Sequence, residues 1–473
     1  MTAYFLAVDG GSQSAKVSVI DAVGTVHASG QAALQPYELG PDGRAVHPGD
    51  DLWDTLAEAS RQALSAFAGD PDDIVAVGLC GIRFCRAVVD ASGHLTEPVL
   101  SWMDARVSLP VTGLDPEVAT LASAGGYLTI RLTGNRRDSA ASYQGMWPID
   151  PATRQWSTDP AEAERTGMPL ELLPDLVDPG ELLGLVSAEA SEQTSIPAGV
   201  PVYATANDKA VEALGCGLVD PGTVLLSLGT YIASMMVGDD LTGEEDGYWV
   251  NAAAIPGRHL YESGGIRRGM WTVTWLTNLV SGAELAPVDQ RAARDWLNAG
   301  ARAVPPGCGG LMTIPDWLAP GHAPHRRGAI IGLDGSHGAH HLYRSVLEGI
   351  ALSMRVHTET MESALDRSPR RMLVSGGGSR SDLMMQILAD VFGRPVERAG
   401  VSDAAGLGSA ICAAVGSGTY ATFEDALEAM VRGGQVFEPD PEAQRQYGEI
   451  LGVYSGLTEF TDPMFEHTAV LGR

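Results

Sequence analysis

Asp208 stands where a short apolar run, residues 200–204, ends as a buried strand. A carboxylate at a strand end suits a general base. A helical stretch, 210–218, follows, and Asp220-Pro221-Gly222 breaks it. Two strand-like runs, 223–227 and 232–237, then flank a Gly229-Thr230 turn. Backbone N–H groups beside a hydroxyl at such a turn suit a phosphate clamp. The N-terminus repeats half of this arrangement. Residues 5–8 are apolar, Asp9-Gly10-Gly11-Ser12-Gln13-Ser14 is a turn rich in glycine and hydroxyls, and residues 16–20 read as a second strand. The two hairpins lie roughly 220 residues apart, too far for a solenoid, whose periods run about 20–50 residues. Taken singly, each is also compatible with an ordinary turn. Together they predict two similar domains facing each other across a cleft.

Other residue types add chemistry to that cleft. Lysine occurs only at Lys16 and Lys209, one beside each motif, and arginine carries the remaining positive charge. Lysine is a compact, mobile point charge suited to a phosphate oxygen. A phosphate role is expected for Lys16, and Lys209 is left without one. Arg83 and Arg86 follow a strand over 74–79 and could contact a polar ligand or sit in a solvated loop. Trp102-Met103-Asp104-Ala105-Arg106 could stack a sugar ring on its indole while Asp104 and Arg106 hold hydroxyls. A structural Asp–Arg ion pair is the competing explanation. Gly376-Gly377-Gly378 ends a strand and precedes a helix over 381–392, so backbone can approach a charged ligand there. It has neither the GxGxxG nor the GxxxxGKS register.

The elements around these residues indicate an α/β chain. Its 473 residues suffice for two or three domains. The first 30 read as a β-meander, and 52–67 as an amphipathic helix with Asp50 or Asp51 near its N-cap. Residues 107–200 read as an irregular cap, apart from the segment 127–134. Long helices are expected over 341–354 and 441–457. A small-residue helix over 402–416 is suited to close packing beneath a ligand. Trp271 and Trp275, at i and i+4, are expected in the core. His322, His325, His337, His340 and His341 crowd together without the HExxH spacing of a zinc helix. The five scattered cysteines form no CxxC pair, so they predict small buried hydrophobes. The net charge of −28 argues against nucleic acid as a partner. No 18-residue apolar run and no basic, apolar leader is present, so a cytoplasmic protein with no membrane partner is expected.

Taken together, these segments resemble the FGGY family of carbohydrate kinases, within the actin-like ATPase superfamily. Gly328-Ala329-Ile330-Ile331-Gly332-Leu333, followed after seven residues by His341-Leu342 and then Ser345-Val346-Leu347-Glu348, is similar to the family's C-terminal signature. Asp9 to Lys16 resembles its first phosphate loop, with Ser12 in place of threonine. Leu228-Gly229-Thr230 resembles the second loop, and Ser375 to Gly378, with Gln386 and Asp390, the adenosine segment. Trp102-x-Asp104-x-Arg106 resembles a substrate-side motif. Departures concentrate on the sugar side. Ile82-Arg83-Phe84 replaces the Gln-Arg-Glu of glycerol kinases, Thr205 stands where glycine is usual, and Pro320-Gly321-His322 replaces Gly-Glu-Arg. The stretch between Arg106 and Tyr127 lacks the N-terminal signature.

The resemblance implies two ribonuclease-H-like domains, about 1–220 and 221–473, facing each other across a catalytic cleft. It implies transfer of the ATP γ-phosphate to a hydroxyl of a sugar or polyol. Asp208 would act as base, and Asp9 would hold Mg2+. Gly10, Gly11, Ser12, Lys16, Gly229, Thr230, Gly376, Gly377 and Gly378 would hold the nucleotide. Arg83, Trp102, Asp104 and Asp208 would face the acceptor. A ketopentose such as D-xylulose is the first acceptor expected, and glycerol or another polyol the second. A non-sugar actin-like ATPase and a catalytically silent sugar-binding paralogue remain as alternatives. Assembly is left open, with a homodimer among the options.

Overall fold

The computed structural model describes residues 3–242, 247–283, 286–401 and 403–469. The first sheet is built from β1 (Tyr4–Gly10), β2 (Ser14–Asp21), β3 (Val26–Ala33), β4 (Ile74–Cys80), β5 (Leu182–Leu185) and β6 (Pro201–Ala204). Its order is β5-β6-β4-β1-β2-β3. The opening meander is antiparallel, and β4 and β6 join it in parallel. The second sheet holds β7 (Thr223–Leu228), β8 (Ile232–Gly238), β9 (Tyr248–Ala252), β10 (His259–Ser263), β11 (Arg371–Ser375), β12 (Val396–Arg398) and β13 (Val436–Phe437). Its order is β9-β10-β8-β7-β11-β12-β13, again with parallel strands continuing an antiparallel hairpin.

The central strands alternate between two cores, because successive side chains leave a strand on opposite faces. Leu6 and Val8 of β1 pack with helix α1 (Asp51–Ala66), while Phe5 and Ala7 enter a core shared with the second sheet. β7 behaves alike: Val224, Leu226 and Leu228 face one core, and Leu225 the shared one. Helix α2 (Ala124–Thr133) is capped by the Ser123 hydroxyl and stopped by Gly134 at φ 76°. It orders a stretch expected to be irregular, as does edge strand β5. Asp50 occupies the N-cap position of α1 but gives no side-chain cap; its carboxylate accepts from Tyr127 and Arg131 instead.

Two short-contact helices hold the sheets together: α3 (Asp208–Gly215) and, much later in the chain, a small-residue helix. Between them lie α4 (Ala339–Ala364), which extends well past the expected 354, and α5 (Asp382–Phe392). The small-residue helix is α6 (Ala404–Gly416). Ser402, at the expected start of that helix, lies outside the described residues. α6 does not only sit beneath a ligand loop; it packs against α3 and the first sheet. A Cβ on Gly408 would stand 2.0 Å from the Val211 carbonyl oxygen, and one on Gly215 1.8 Å from that of Ala404. A Cβ on Gly78 of β4 would stand 2.1 Å from the Ser409 oxygen. The tail forms α7 (Pro441–Tyr454) and α8 (Leu457–Ala469). Trp275 packs on the second core, but Trp271 is 37% exposed and lies under the Arg268 guanidinium, so it is not a core residue.

The glycine contacts define a test. Gly408→Ala is expected to lower unfolding stability by about 1–3 kcal/mol through overpacking. Gly452→Ala, whose Cβ would meet nothing within 4 Å in helix α7, should stabilise by up to about 1 kcal/mol through helix propensity. Urea unfolding of both variants checks the opposite signs.

Candidate active site

The C-terminal ends of the parallel strands and the two hairpin turns converge on one cavity of about 550 Å³. It is lined by Asp9, Gly11, Ser12, Lys16, Arg83, Trp102, Asp208, Thr230, Gly376 and Gly377 among the expected residues. Asp208 is the first residue of α3, just past β6, and Asn207 caps that helix by accepting from the Lys209 and Ala210 amides at 3.1 Å. One carboxylate oxygen, Oδ1, is shut off from solvent and accepts no hydrogen bond among the described residues. Buried polar atoms are normally partnered. Oδ1 lies 3.6 Å from Arg83 Nε, but the side chain as a whole is 31% exposed and lines the cavity, so its other oxygen can receive a proton from a bound hydroxyl.

The two turns meet directly. The Gln13 amide donates to the Thr230 hydroxyl at 3.2 Å, joining residues 217 positions apart. The first turn closes through the Gly11 N–H on Ser14 O at 3.1 Å, and Tyr37 donates to Ser12 O. Gly10 and Gly229 lie at these strand ends without lining the cavity. A Cβ on Gly10 would come to 3.1 Å from Cys80 O, so its small size serves strand packing. Gly376, at φ 80°, and Gly378 let their loop close on the end of β7, where a Cβ would strike the Leu228 carbonyl or side chain. Gly377 has open space beside it. Of the three glycines, Gly376 and Gly377 therefore reach the cavity and Gly378 is a packing residue. Gln386 and Asp390 bond to each other and to Glu438 O and the Asp440 amide, away from the cavity.

Asp9 and Lys16 face each other across the β1–β2 ladder. Lys16 makes no hydrogen bond or ion pair among the described residues, which leaves its ammonium for a ligand. Burial first, then the nearby Asp403, Asp208 and Glu212 carboxylates, push Asp9 up to about 7, against the pull of Lys16. Lys209 differs from Lys16. Its ammonium donates to Glu212 at 2.9 Å and to the Ser227 hydroxyl at 2.7 Å, and Ser375 donates to the same carboxylate. Burial opposes both charges, but the pair overrides it: Lys209 is held above and Glu212 below its ordinary range.

On the opposite wall, Trp102 is half-buried and lines the cavity, whereas Asp104 does not. Asp104 is buried and saturated: Arg106 reaches it at 2.9 and 2.8 Å, and the Ala45 and Arg106 amides donate at 2.8 and 2.9 Å. The ion-pair alternative is the one built, and Asp104 is corrected from an acceptor contact to a loop anchor. Arg86 turns away to Arg106 O. Arg83 reaches across the cleft to Glu262 of β10, at 2.8 and 2.9 Å. Its guanidinium also lies over the Trp249 ring, 4.7 Å from the centroid. Glu262, Trp249 and Tyr231 carried no mark in the sequence; the aromatic and apolar run from Tyr248 to Val250, in a strand that pairs with His259 to Ser263, is the signal that could have exposed that hairpin. A larger cavity of about 700 Å³ shares Tyr231 and Trp249 but contains neither Asp208 nor either turn, so the chemistry belongs to the smaller one.

The histidine cluster is not a metal centre: His337 bonds to Cys308 O, and no group of three or more metal-ligating side chains occurs among the described residues. The cysteines are all free and buried, as expected. Among the described residues no helix is long and apolar enough to cross a membrane.

Comparison with known proteins agrees with this geometry. The models for the N-terminal and C-terminal domains of the FGGY family of carbohydrate kinases match residues 4–119 and 224–417. An uncharacterized sugar kinase of Escherichia coli, YgcE, is 42% identical over 97% of this chain and 94% of its own. Autoinducer-2 kinase of the same species is 27% identical over 94% and 92%. The crystal structure of xylulose kinase from Rhodospirillum rubrum superposes with a TM-score of 0.80 at 25% identity, covering 98% of this chain and all of that one.

Asp9 yields a signed pH prediction. A carboxyl raised to about 7 contributes stability below its unfolded value near 3.8 and loses it as pH rises through 7. Asp9→Asn is expected to unfold at higher temperature than the ligand-free parent at pH 8, with the difference vanishing near pH 4. Thermal scans across that window check the sign.

Proposed function

Because the chain belongs to the FGGY family of carbohydrate kinases, we propose that Asp208 takes the proton of an acceptor hydroxyl as it attacks the ATP γ-phosphate held by the two turns. The chain is a phosphotransferase acting on a sugar-type acceptor, and kinases of this family use ATP. The observation that carries the assignment of the base is the partly exposed Asp208 carboxylate, which accepts no hydrogen bond among the described residues, in the cavity that the turns share.

The roles then follow from position. The Gly11-Ser12 turn, Lys16 and Thr230 contact phosphate oxygens. Gly376 and Gly377 lie along the nucleotide at the mouth of the helix beyond them. Trp102 stacks on the acceptor. Phosphoryl transfer needs little covalent help from protein, so holding the acceptor in line and excluding water account for most of the acceleration.

Asp9 fits a Mg2+ ion. Its charge is disfavoured by burial and three neighbouring carboxylates, and a cation would relieve that. Mg2+ commonly takes one or two carboxylates plus water and substrate phosphates, which matches a site without a protein-only ligand set. When bound it supplies neutralisation of the β- and γ-phosphate oxygens.

For the acceptor, we favour a ketopentose such as D-xylulose. The support is the end-to-end likeness to the Rhodospirillum rubrum xylulose kinase and the half-buried Trp102 in the cavity wall. A screen of ADP release with MgATP against ketopentoses, polyols, aldonates and ketohexoses tests this. The strongest response is expected from a ketopentose; a polyol or aldonate as sole responder overturns the choice. In the same assay, Asp208→Asn is expected to lose about 10²–10⁴-fold in kcat. Its affinity for ATP, read by calorimetry, should stay within a few-fold of the parent. Near-normal turnover would remove Asp208 from the role of base.

A further inference from the structure

Arg83 has two carboxylates within reach, and they belong to opposite halves of the molecule. Glu262, on β10 of the second sheet, is fully buried and takes both guanidinium N–H groups at 2.8 and 2.9 Å. Asp208, on the side of the first sheet, lies 3.6 Å from Arg83 Nε with its Oδ1 and makes no hydrogen bond to it. The guanidinium is therefore divided unequally: Glu262 takes its hydrogen bonds, and Asp208 keeps only an ion-pair contact.

The arrangement is heavily constrained for a single ion pair. Phe84, next in the chain, is held at φ 63°, a conformation that bulky residues rarely adopt. In that pose its ring stacks on Trp249 at 5.8 Å, and the Arg83 guanidinium lies over both rings, 5.3 and 4.7 Å from their centroids. Asn251 adds a long 3.4 Å contact to Glu262. Strained backbone of this kind persists where surroundings over-determine it. Here the surroundings come from the second half: Trp249, Asn251 and Glu262 all lie on the β9–β10 hairpin. Tyr231 faces Arg83, and Lys209 faces both Asp208 and Glu262.

We propose that Glu262 is a positioning residue: with the halves together its carboxylate draws Arg83 away from Asp208, and with them apart Arg83 falls back on Asp208 and occupies the base. The base would thus be free only in the closed cleft, where water is excluded and the acceptor is enclosed. An open enzyme holding ATP would have its base tied to Arg83, which limits wasted hydrolysis. The inference rests on the reading of Asp208 as the general base.

Four variants test it: Glu262→Gln, Glu262→Asp, Arg83→Met and the double variant Arg83→Met/Glu262→Gln. Glu262→Gln keeps the shape but releases Arg83 to Asp208. Its kcat with the responding acceptor is expected to fall about 10–100-fold, within the range a general base supplies. Its affinity for ATP should be unchanged. Glu262→Asp should retain more kcat than Glu262→Gln. The double variant, which lacks the competing cation, should recover kcat to the level of Arg83→Met alone, whatever happens to the acceptor KM. Equal loss in Glu262→Gln and the double variant, or undiminished kcat in Glu262→Gln, overturns the proposal. Should Glu262→Gln fail to fold, the order of Glu262→Asp, Arg83→Met and the double variant decides: a double variant slower than Arg83→Met refutes it. Asp208→Asn run alongside separates the two readings, since activity surviving there refutes the base itself and leaves Glu262 with nothing to position.

Discussion

The structure depends on three places where backbone meets backbone with no side chain between. Gly408 of α6 rests against Val211 O, Gly215 of α3 against Ala404 O, and Gly78 of β4 against Ser409 O. These contacts bring a helix from late in the chain into the core of the first sheet. Their consequence is chemical. α3 begins with Asp208, and α6 begins beside Asp403, Ala404 and Ala405 in the cavity wall. The distance between Asp208 and the wall at Asp403 to Ala405 is therefore set by glycine-to-carbonyl contact, which has almost no slack. Phosphoryl transfer is sensitive to misplacement of about 1 Å, and packing this tight beneath Asp208 suits such a step.

Buried charge extends that rigidity to the phosphate loops. Glu212, one turn along α3 from Asp208, accepts from Lys209, Ser227 and Ser375. Ser227 precedes Leu228 and the Gly229-Thr230 turn, and Ser375 precedes Gly376-Gly377. One carboxylate thus ties α3 to both loops of the second half. Removing a single member of such a network leaves a buried charge unpaired, which is costlier than the network is stabilising. This separates the two lysines that the sequence set side by side: Lys16 is an open cation in the cavity, while Lys209 is structural.

The sequence revealed what is local. Apolar runs ending in Gly-hydroxyl turns announced both hairpins, and Asp208 and Gly376-Gly377 stood at strand ends because that is where parallel strands deliver side chains. Asp104 was misplaced because Trp-x-Asp-x-Arg reads the same for an acceptor contact and for a loop anchor; only the Ala45 amide, 59 positions away, distinguishes them. Glu262 was not legible at all. Its partner is 179 positions distant, and its own short strand, with His259 and Ser263 also polar, gives no sign that it is buried. The signature over residues 328–348 identified the family without lying in the cavity. Glu348 is buried between Arg344, Tyr447 and the Gly307 amide, so that stretch is diagnostic through its role in the second core.

The cavity wall around Arg83 is composite, and this explains why it was hardest to read. Trp102, Arg83 and Phe84 come from the first half, and Tyr231 and Trp249 from the second. Departures from the family pattern, such as Ile82-Arg83-Phe84, make sense only across that joint. Phe84 stands where glycerol kinases carry an acid, and the carboxylate that meets Arg83 is supplied from β10 instead. Any specificity set on this wall can therefore change through the β9–β10 hairpin while the two turns, and the glycine contacts beneath Asp208, stay as they are.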